Sequence, residues 1–563
     1  MNSLNPQQWA SRAGAAAQGG DIPGALRILD EARQAYPQEA GLWHFTGKML
    51  LQSGDHAAAA EHFGKAFALL PGNPNFAIDQ AIALAAAGDD LAALKVLDRI
   101  EAECRDLPVY CSTRAMSERN IGELAAAAHW YDRALARDPK RPKALLGRAR
   151  VALERGESDA VPRFDQTLQV DPGNPYVWLG KAQSLDVAGD VAGARTITRQ
   201  IVEQAPQFTD ALFFLAQLRR AVDEEDYTSH YADAAAKVPQ DPNIPEAWAR
   251  TLGGMDRSSE AADVAAEARK RFPHIERFAL LEAIYAGADG QNDRAEAIYE
   301  GLDIETSERF LHEARHRTRR GEFDRAAELL DRTQELDPDE ISAWALREFV
   351  WRLTDDPRHE WLHGQQGLHD LHPLHDADRV LSPAIALLHQ LHDNSPLPLG
   401  QSLRGGTQTR GQLFDRQEPA FQDLRAAIEA TLEEYRRGLP PLDERHPLLR
   451  HRDKKWRIAG SWSVRLTGGG DFHASHIHPK GVVSSALYCE LPESFGKGDD
   501  KLEGALEIGR PPPNLQLDMP PRRVIEPRVG HLALFPSTLY HGTRPFTDGR
   551  RMTVAFDVVL DSR

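Results

Sequence analysis

Alanine and leucine recur at helical spacing along the first three-fifths of the chain, and the pattern repeats at a fixed interval. Prolines that are expected to end the helices stand one or two such intervals apart, at Pro37, Pro71, Pro139, Pro172, Pro206, Pro239, Pro273 and Pro338. The interval is about 34 residues, a period typical of helix-turn-helix solenoids. We therefore predict about ten helical pairs between residues 5 and 340, two of them degenerate because no proline marks their ends.

The stretch "GLWHFTGKMLLQSGDHAAAAEHFGKAFALLPGN" shows how one unit is built. Gly54 separates two predicted helices, and Ala59 is small enough for these helices to approach closely. Phe63 and Ala66 lie on one face at helical spacing, and Pro71 ends the second helix. The unit resembles the tetratricopeptide repeat, which implies a solenoid whose concave surface binds peptides or proteins.

The pattern changes after about residue 345. Two further helices are predicted, "DADRVLSPAIALLHQLHD" and "EPAFQDLRAAIEATLEEYRRGL", followed after residue 455 by short strand-like runs between glycine and proline turns. Such runs predict a β-sandwich or barrel. We expect a repeat array over residues 1–345, a connector with a helix over 346–399 and a β domain over 400–563. Residues 493–528 look like a long mobile insertion between strands.

Charge and cysteine content narrow the functional classes. The 563 residues carry a formal net charge of −17, which disfavours a general binder of nucleic acid or of anionic membranes. The three cysteines are too few for a disulfide framework. Neither a signal peptide nor a membrane-spanning run is visible, so we expect a cytoplasmic protein.

Two histidine clusters are candidate metal sites. In "HEWLHGQQGLH", His359, Glu360 and His363 have the spacing of a zinc-protease helix, with His369 near the position of a third ligand. However, Gly364 interrupts the helix directly after His363, and no long amphipathic helix surrounds the segment. We interpret this segment as a connector between the array and the β domain.

The second cluster, "FHASHIHPKG", lies between strand-like runs. His476 and His478 are two residues apart and so share one face of a strand, whereas His473 would point elsewhere on a regular strand. His541 follows an apolar strand, and Arg551 and Thr553 share one face of the last strand. This order matches non-haem iron oxygenases, although zinc or a solvated histidine-rich turn are alternatives.

Five separated stretches in residues 400–563 resemble a bacterial family of 2-oxoglutarate/Fe(II)-dependent oxygenases that is often fused to tetratricopeptide repeats. They are "QSLRGGTQTRGQLF", "GSWSVRL", "HIHPKGVVSSALYCELP", "GHLALFPSTLYHGT" and "RRMTVAFDVV". The resemblance implies a double-stranded β-helix, or jelly roll, with supporting helices. It implies His476 and His541 as iron ligands. It also implies that Arg551, helped by Thr553 and Tyr488, binds the distal carboxylate of 2-oxoglutarate.

One position departs from the wider superfamily, in which two histidines and a carboxylate bind the metal. His478 stands where the acid would be, and the spacing of Asp471 does not favour it as a substitute. We keep His478 as the third ligand. Two functions follow: an Fe(II)- and 2-oxoglutarate-dependent hydroxylase of a peptide or protein recruited by the array, or a repeat scaffold with a catalytically degenerate metal-binding barrel.

Overall fold

Helices fill the chain from Pro6 to His363. The computed structural model describes residues 4–395, 397–493, 495–497 and 501–561, and the chain divides into two compact units, residues 1–181 and 182–562. The helices are α1 (Pro6–Gln18), α2 (Ile22–Ala35), α3 (Ala40–Gln52), α4 (His56–Leu69), α5 (Pro74–Ala86), α6 (Asp90–Asp98), α7 (Glu101–Cys104), α8 (Pro108–Asn120), α9 (Leu124–Arg137), α10 (Pro142–Glu154), α11 (Ala160–Leu168), α12 (Pro175–Val187), α13 (Val191–Gln204), α14 (Thr209–Arg220), α15 (Ser229–Lys237), α16 (Asn243–Gly253), α17 (Ser258–Arg271), α18 (Arg277–Ala288), α19 (Asn292–Tyr299), α20 (Ser307–Arg319), α21 (Phe323–Leu336), α22 (Ile341–Leu353) and α23 (Arg358–His363). No described helix combines the length and apolarity needed to cross a membrane.

A residue with positive φ marks the turn between the two helices of each pair. In the described chain these residues are Gly20, Gly54, Gly88, Gly122, Gly156, Gly189, Asp223, Asp256, Gly290, Gly321 and Asp355. Glycine adopts this conformation without a Cβ clash, and aspartate tolerates it better than most residues. The series continues through the turn between α22 and α23, and the expected domain boundary near residue 345 falls inside α22. That boundary stays a prediction.

The repeat unit formed by α3 and α4 packs as its residue types require. Ala59, Phe63 and Ala66 are fully buried or nearly so on one face of α4. A Cβ atom added to Gly47 would lie 2.7 Å from the ring of Phe63. The small residue therefore lets α3 and α4 approach at the aromatic side chain, and a larger residue there would force the pair apart.

From residue 370 onward, which includes part of the expected connector, the chain forms two long helices and eleven described strands. The helices are α24 (Ala377–Asp393) and α25 (Pro419–Gly438), both at the predicted positions. The strands are β1 (Asp370–Pro373), β2 (Leu403–Arg404), β3 (Thr407–Gln408), β4 (Trp456–Thr467), β5 (Phe472–His473), β6 (Val483–Glu490), β7 (Leu506–Ile508), β8 (Arg523–Ile525), β9 (His531–Pro536), β10 (His541–Thr543) and β11 (Arg550–Leu560).

These strands form a six-stranded antiparallel sheet in the order β1-β9-β6-β11-β4-β3, a three-stranded sheet β10-β7-β8 and the pair β2-β5. A large and a small antiparallel sheet are the arrangement expected of a jelly roll. The predicted fold class, a helical solenoid followed by an antiparallel β domain with supporting helices, is confirmed.

Alternation along β11 separates the core of the domain from its cavity. Met552, Val554, Phe556 and Val558 are fully buried against α24 and α25. The residues between them point to the opposite face, because successive side chains of a strand alternate. That opposite face carries the polar residues of the candidate site.

The segment expected to be a mobile insertion contributes to the core. Its residues 494 and 498–500 lie outside the described part of the chain, but β7 and β8 pair with each other, and β7 also pairs with β10. Leu515, between them, is completely buried in a cluster that includes side chains of α20 and α22. The strand-like run "GALEIG" contains β7, whereas β8 has only three residues and follows a proline-rich stretch that concealed it.

Candidate metal centre

Backbone pairing brings three histidines of the second cluster together. The amide and carbonyl groups of His476 and His541 form a reciprocal β-bridge, with N–O distances of 3.0 and 2.9 Å. His478 lies two residues beyond His476 and turns to the same side. One nitrogen of each of these histidines lies within 4.8 Å of the others, and in the described chain no other set of three or more potential metal-binding side chains converges in this way.

The Nδ1 atom of each histidine faces an oxygen acceptor. These acceptors are the carbonyl of Ala474 at 2.8 Å from His476, the carbonyl of Leu539 at 3.1 Å from His541, and the carboxylate of Asp557 at 2.5 Å from His478. An acceptor at Nδ1 requires the proton there, so each Nε2 keeps its lone pair. Metal-binding histidines usually show this arrangement.

The Nε2 atoms of His476 and His478 are 3.0 Å apart. Two nitrogens at about 2.1 Å from one ion and at right angles would have this separation. Two facing lone pairs repel each other when no cation lies between them, so the donor set fits a divalent metal. Burial and the neighbouring His478 lower the pKa of His476 to about 3, which keeps its imidazole neutral, as a metal ligand must be.

Arg551, Thr553 and Ala555 of β11 line the cavity, and Asp557 of the same strand contacts His478. Arg551 is only 2% exposed. No acidic group of the described chain lies within ion-pairing distance of its guanidinium, and its Nε has no hydrogen-bond acceptor. A buried arginine without a counter-ion is costly, which indicates that this cavity receives an anion.

Tyr488 forms the floor beneath that arginine. The guanidinium carbon of Arg551 lies 5.3 Å from the centre of the Tyr488 ring, and the buried tyrosine hydroxyl has this guanidinium as its polar neighbour. Tyr488 is paired with Thr553 across β6 and β11. Thus the residues expected to bind one carboxylate lie side by side, and the buried Nε atom of Arg551 has no acceptor in the described chain.

Sequence reasoning missed three contributors to the site. Asp557 contacts His478, the Trp462 ring lies 5.3 Å from the His478 ring, and the His473 ring stacks 5.6 Å from that of His476. His473 was expected to point elsewhere, but it lines the same cavity because β5 is only two residues long and the chain then bends. The alternation that identified Arg551 could also have identified Asp557, six residues further along the same strand.

The competing histidine cluster is engaged in hydrogen bonds. His363 is fully buried, with Nε2 2.8 Å from the hydroxyl of Thr538 and Nδ1 3.1 Å from a carboxylate oxygen of Glu348. His359 and His369 each contact an arginine side chain. The helix carrying this motif has six residues, and its histidines join elements together rather than converge on one point.

Comparison with family models places known domains on both parts of the chain. Residues 460–557 match the model described as "Putative 2OG-Fe(II) oxygenase". Tetratricopeptide-repeat models match residues 11–74, 50–110, 113–160 and 158–218. Comparison with curated proteins finds no match.

Solved structures similar to the chain are repeat proteins. One is YrrB, described as a TPR protein with an unusual peptide-binding site, with 16% identity over 31% of this chain and 90% of that one and a TM-score of 0.27. Another is PilW, a type IV pilus biogenesis factor, with 16% identity over 37% and 97% and a TM-score of 0.34. A third, from Parabacteroides merdae, has 15% identity over 56% and 99% and a TM-score of 0.28. From its family-model matches, the chain combines tetratricopeptide repeats with a C-terminal domain of the 2OG-Fe(II) oxygenase type.

Proposed function

We propose that the protein is an Fe(II)- and 2-oxoglutarate-dependent dioxygenase that hydroxylates a peptide or protein bound by its repeat helices. The observation that carries this proposal is the presence in one cavity of a three-histidine cluster and a buried arginine that has no acidic partner among the described residues. The cluster suits a divalent metal, and the arginine suits a carboxylate. The family match favours the same pair of groups.

The chain's own residues would divide the work as follows. His476, His478 and His541 would hold the metal through Nε2, with each Nδ1 proton held by its oxygen acceptor. Asp557 would place a negative charge beside the one ligand that replaces the usual carboxylate. When bound, Fe(II) supplies the chemistry in which 2-oxoglutarate and dioxygen become succinate and carbon dioxide while a C–H bond gains oxygen.

Arg551 would fix the far carboxylate of 2-oxoglutarate by a two-point contact, with the hydroxyls of Thr553 and Tyr488 as further donors. Trp462, Val464 and Leu506 line the same cavity and would exclude water from it. The cavity has a volume of about 40 Å³, below the range of small-molecule sites, so 2-oxoglutarate would bind only after side chains of the lining move apart.

The decisive test is conversion of 2-oxoglutarate to succinate by the purified protein with Fe(II) and dioxygen, even without the substrate. We expect succinate to form and to be absent in His541→Ala. Protein that binds Co(II) through the three histidines but forms no succinate would instead favour the repeat scaffold with a degenerate barrel. A comparison of lysate peptides for one added oxygen would then identify the substrate.

A further inference from the structure

A second cavity lies between repeat helices and the oxygenase domain, within the unit formed by residues 182–562. It has a volume of about 610 Å³, and its walls come from α16, α18 and α20, the first helices of three consecutive pairs. Pro513 and Asn514 of the oxygenase domain close one side. Its size is that of cavities that hold a small ligand or a few residues of a peptide.

Two arginines one helical turn apart on α20 line this cavity. Arg315 donates to the hydroxyl of Tyr540 at 2.8 Å and to the side-chain oxygen of Asn514 at 3.0 Å, and Arg319 donates to the Asn514 carbonyl at 3.3 Å. The Nε atom of Arg319 is buried without an acceptor. All these partners are neutral, and within the described residues neither guanidinium has an acid within ion-pairing distance.

The surroundings of these arginines add no counter-charge. Like charges four residues apart on a helix repel each other. Burial and the charge of Arg315 lower the pKa of Arg319 to about 10, and burial together with both arginines lowers the pKa of His312, which also lines the cavity, to about 3. His312 is therefore neutral, and the two positive charges stand without compensation in a partly desolvated space.

The acids that line the cavity are engaged with other groups. Three acid–partner pairs account for them: Asp256 with Arg404, Glu308 with Arg250 at 3.6 Å, and Asp289 with the side-chain amide of Gln291 at 2.7 Å. The two cavity arginines that have no acid partner within the described chain, Arg315 and Arg319, form its positive end, which contacts Asn514 of the oxygenase domain.

That end is also close to the metal centre along the chain. Tyr540, the acceptor of Arg315, immediately precedes His541, and its ring packs 5.3 Å from that of Phe349 in α22. Ile477, between the other two histidines, packs against the same cluster of side chains. A ligand held by Arg315 therefore lies one side chain away from residues that border the candidate metal ligands.

We propose that this cavity binds a carboxylate-bearing peptide segment, with Arg315 and Arg319 as its counter-ions, and so directs the substrate toward the metal centre. The direction of the substrate toward the metal centre rests on the proposed oxygenase function, whereas the binding of the peptide segment does not. A peptide is favoured because the walls are helices of successive repeats and include the apolar side chains of Leu281 and Ile284. Since the protein as a whole carries a charge of −17, anion binding must depend on these local charges.

The test uses the full-length protein without metal and two fluorescein-labelled decapeptides, measured by fluorescence anisotropy. One peptide alternates glutamate with glycine, and the other has glutamine in place of glutamate. We expect the glutamate peptide to bind about tenfold to a hundredfold more tightly, because two charge-assisted contacts are gained. Free and amidated C-termini distinguish side-chain carboxylates from a terminal one as the source of the charge.

Substitutions in and near the cavity show which side chains cause the preference for the glutamate peptide. The double variant Arg315→Gln/Arg319→Gln should bind both peptides equally, whereas Arg320→Gln, an exposed arginine at the end of the same helix, should keep the preference. Ser258→Glu places an acid in the cavity at the first position of α17, where a carboxylate favours the helix, and should weaken the glutamate peptide without removing either arginine. It therefore serves if the double variant does not fold.

Equal affinity of the two peptides for the wild-type protein, no saturable binding at millimolar concentrations, a preference that survives in the double variant, or a preference that is undiminished in Ser258→Glu would each overturn the inference. A parallel succinate assay separates it from the proposed function. Peptide preference without succinate formation refutes the oxygenase alone, and succinate formation without peptide preference refutes the acidic-peptide site alone.

Discussion

A buried ionic network joins the last long repeat helix to the oxygenase domain, and removing its acid should loosen that junction. Glu348 in α22 has no exposed surface and accepts a hydrogen bond at 2.9 Å from the Nε atom of Arg522, in the segment between β7 and β8. His363 lies 3.1 Å from its other oxygen. Glu348→Gln keeps the size of the side chain but removes the negative charge that faces both partners.

The magnitude follows from the pKa of Glu348. Burial alone would raise this pKa, but His363 and Arg522 overcome that effect and lower it to about 2 from 4.5. This depression corresponds to about 3 kcal/mol of stability at neutral pH. Since Gln would also leave the largely buried Arg522 without its buried acid, with only the exposed Glu360 as a counter-ion, we expect a loss of about 3 to 5 kcal/mol.

Hydrogen–deuterium exchange read by mass spectrometry on peptides from residues 341–353 measures this loss locally. A loss of 3 kcal/mol should accelerate exchange there by about a hundredfold at pH 7, if exchange occurs through opening of the junction. Because the folded-state pKa is depressed, the stabilisation is complete above pH 4.5 and declines as the pH falls toward 2. The difference between the variant and the wild type should therefore shrink over that window.

Glu360→Gln is the matched control. Glu360 contacts the same guanidinium at 3.2 Å, but 60% of its side chain is exposed, and exposed ion pairs contribute little. We expect its exchange to stay close to that of the wild type. Equal acceleration in both variants would show that burial does not set the strength of this network and would refute the reasoning.

Three further predictions concern the site and the core. Arg551→Ala should weaken 2-oxoglutarate binding by about 2 to 5 kcal/mol in calorimetry, while the affinity for Co(II) stays unchanged. The control is Arg550→Ala, at an exposed neighbouring position. If Arg551→Ala and the wild type bind 2-oxoglutarate equally well, the role of Arg551 is misassigned. Asp557→Ala should lower Co(II) affinity about 10- to 100-fold, because His478 loses the acceptor at Nδ1; unchanged cobalt spectra and affinity would contradict this. Burial lowers the pKa of His446 to about 4, so its contribution to stability is complete above pH 6.5 and declines as the pH falls toward 4. In urea unfolding, the stability lost between pH 7 and pH 5 should therefore be about 2 kcal/mol smaller in His446→Gln than in the wild type. An equal loss in both proteins would argue against a neutral buried imidazole.

Periodic signals carried most of what the sequence could predict. The 34-residue interval located the helical pairs, because each turn needs a residue that tolerates positive φ and each helix end needs a stop signal. The two-residue period of β11 placed Arg551 and Thr553 on one face. Both signals are local, so they can be recognised in the sequence without knowledge of the tertiary fold.

Contacts between distant segments could not be predicted in this way. Strands β1 and β3 have four and two residues, too short to show a period, yet they form the edges of the large sheet. The hydrogen bond from Arg315 to Tyr540 joins residues 225 positions apart. Asp557 lies 79 positions from His478, so nothing in the local sequence indicates that the two side chains meet.

The packing of Ile477 and Tyr540 against side chains of α20 and α22 limits how far this protein can be treated as a set of interchangeable modules. Each of these residues is a chain neighbour of a candidate metal ligand, so replacing those helices with the corresponding helices of another repeat protein would alter the support of the metal centre itself. Chimeras intended to redirect the protein to a new partner should therefore exchange repeats upstream of α20 and retain the native junction.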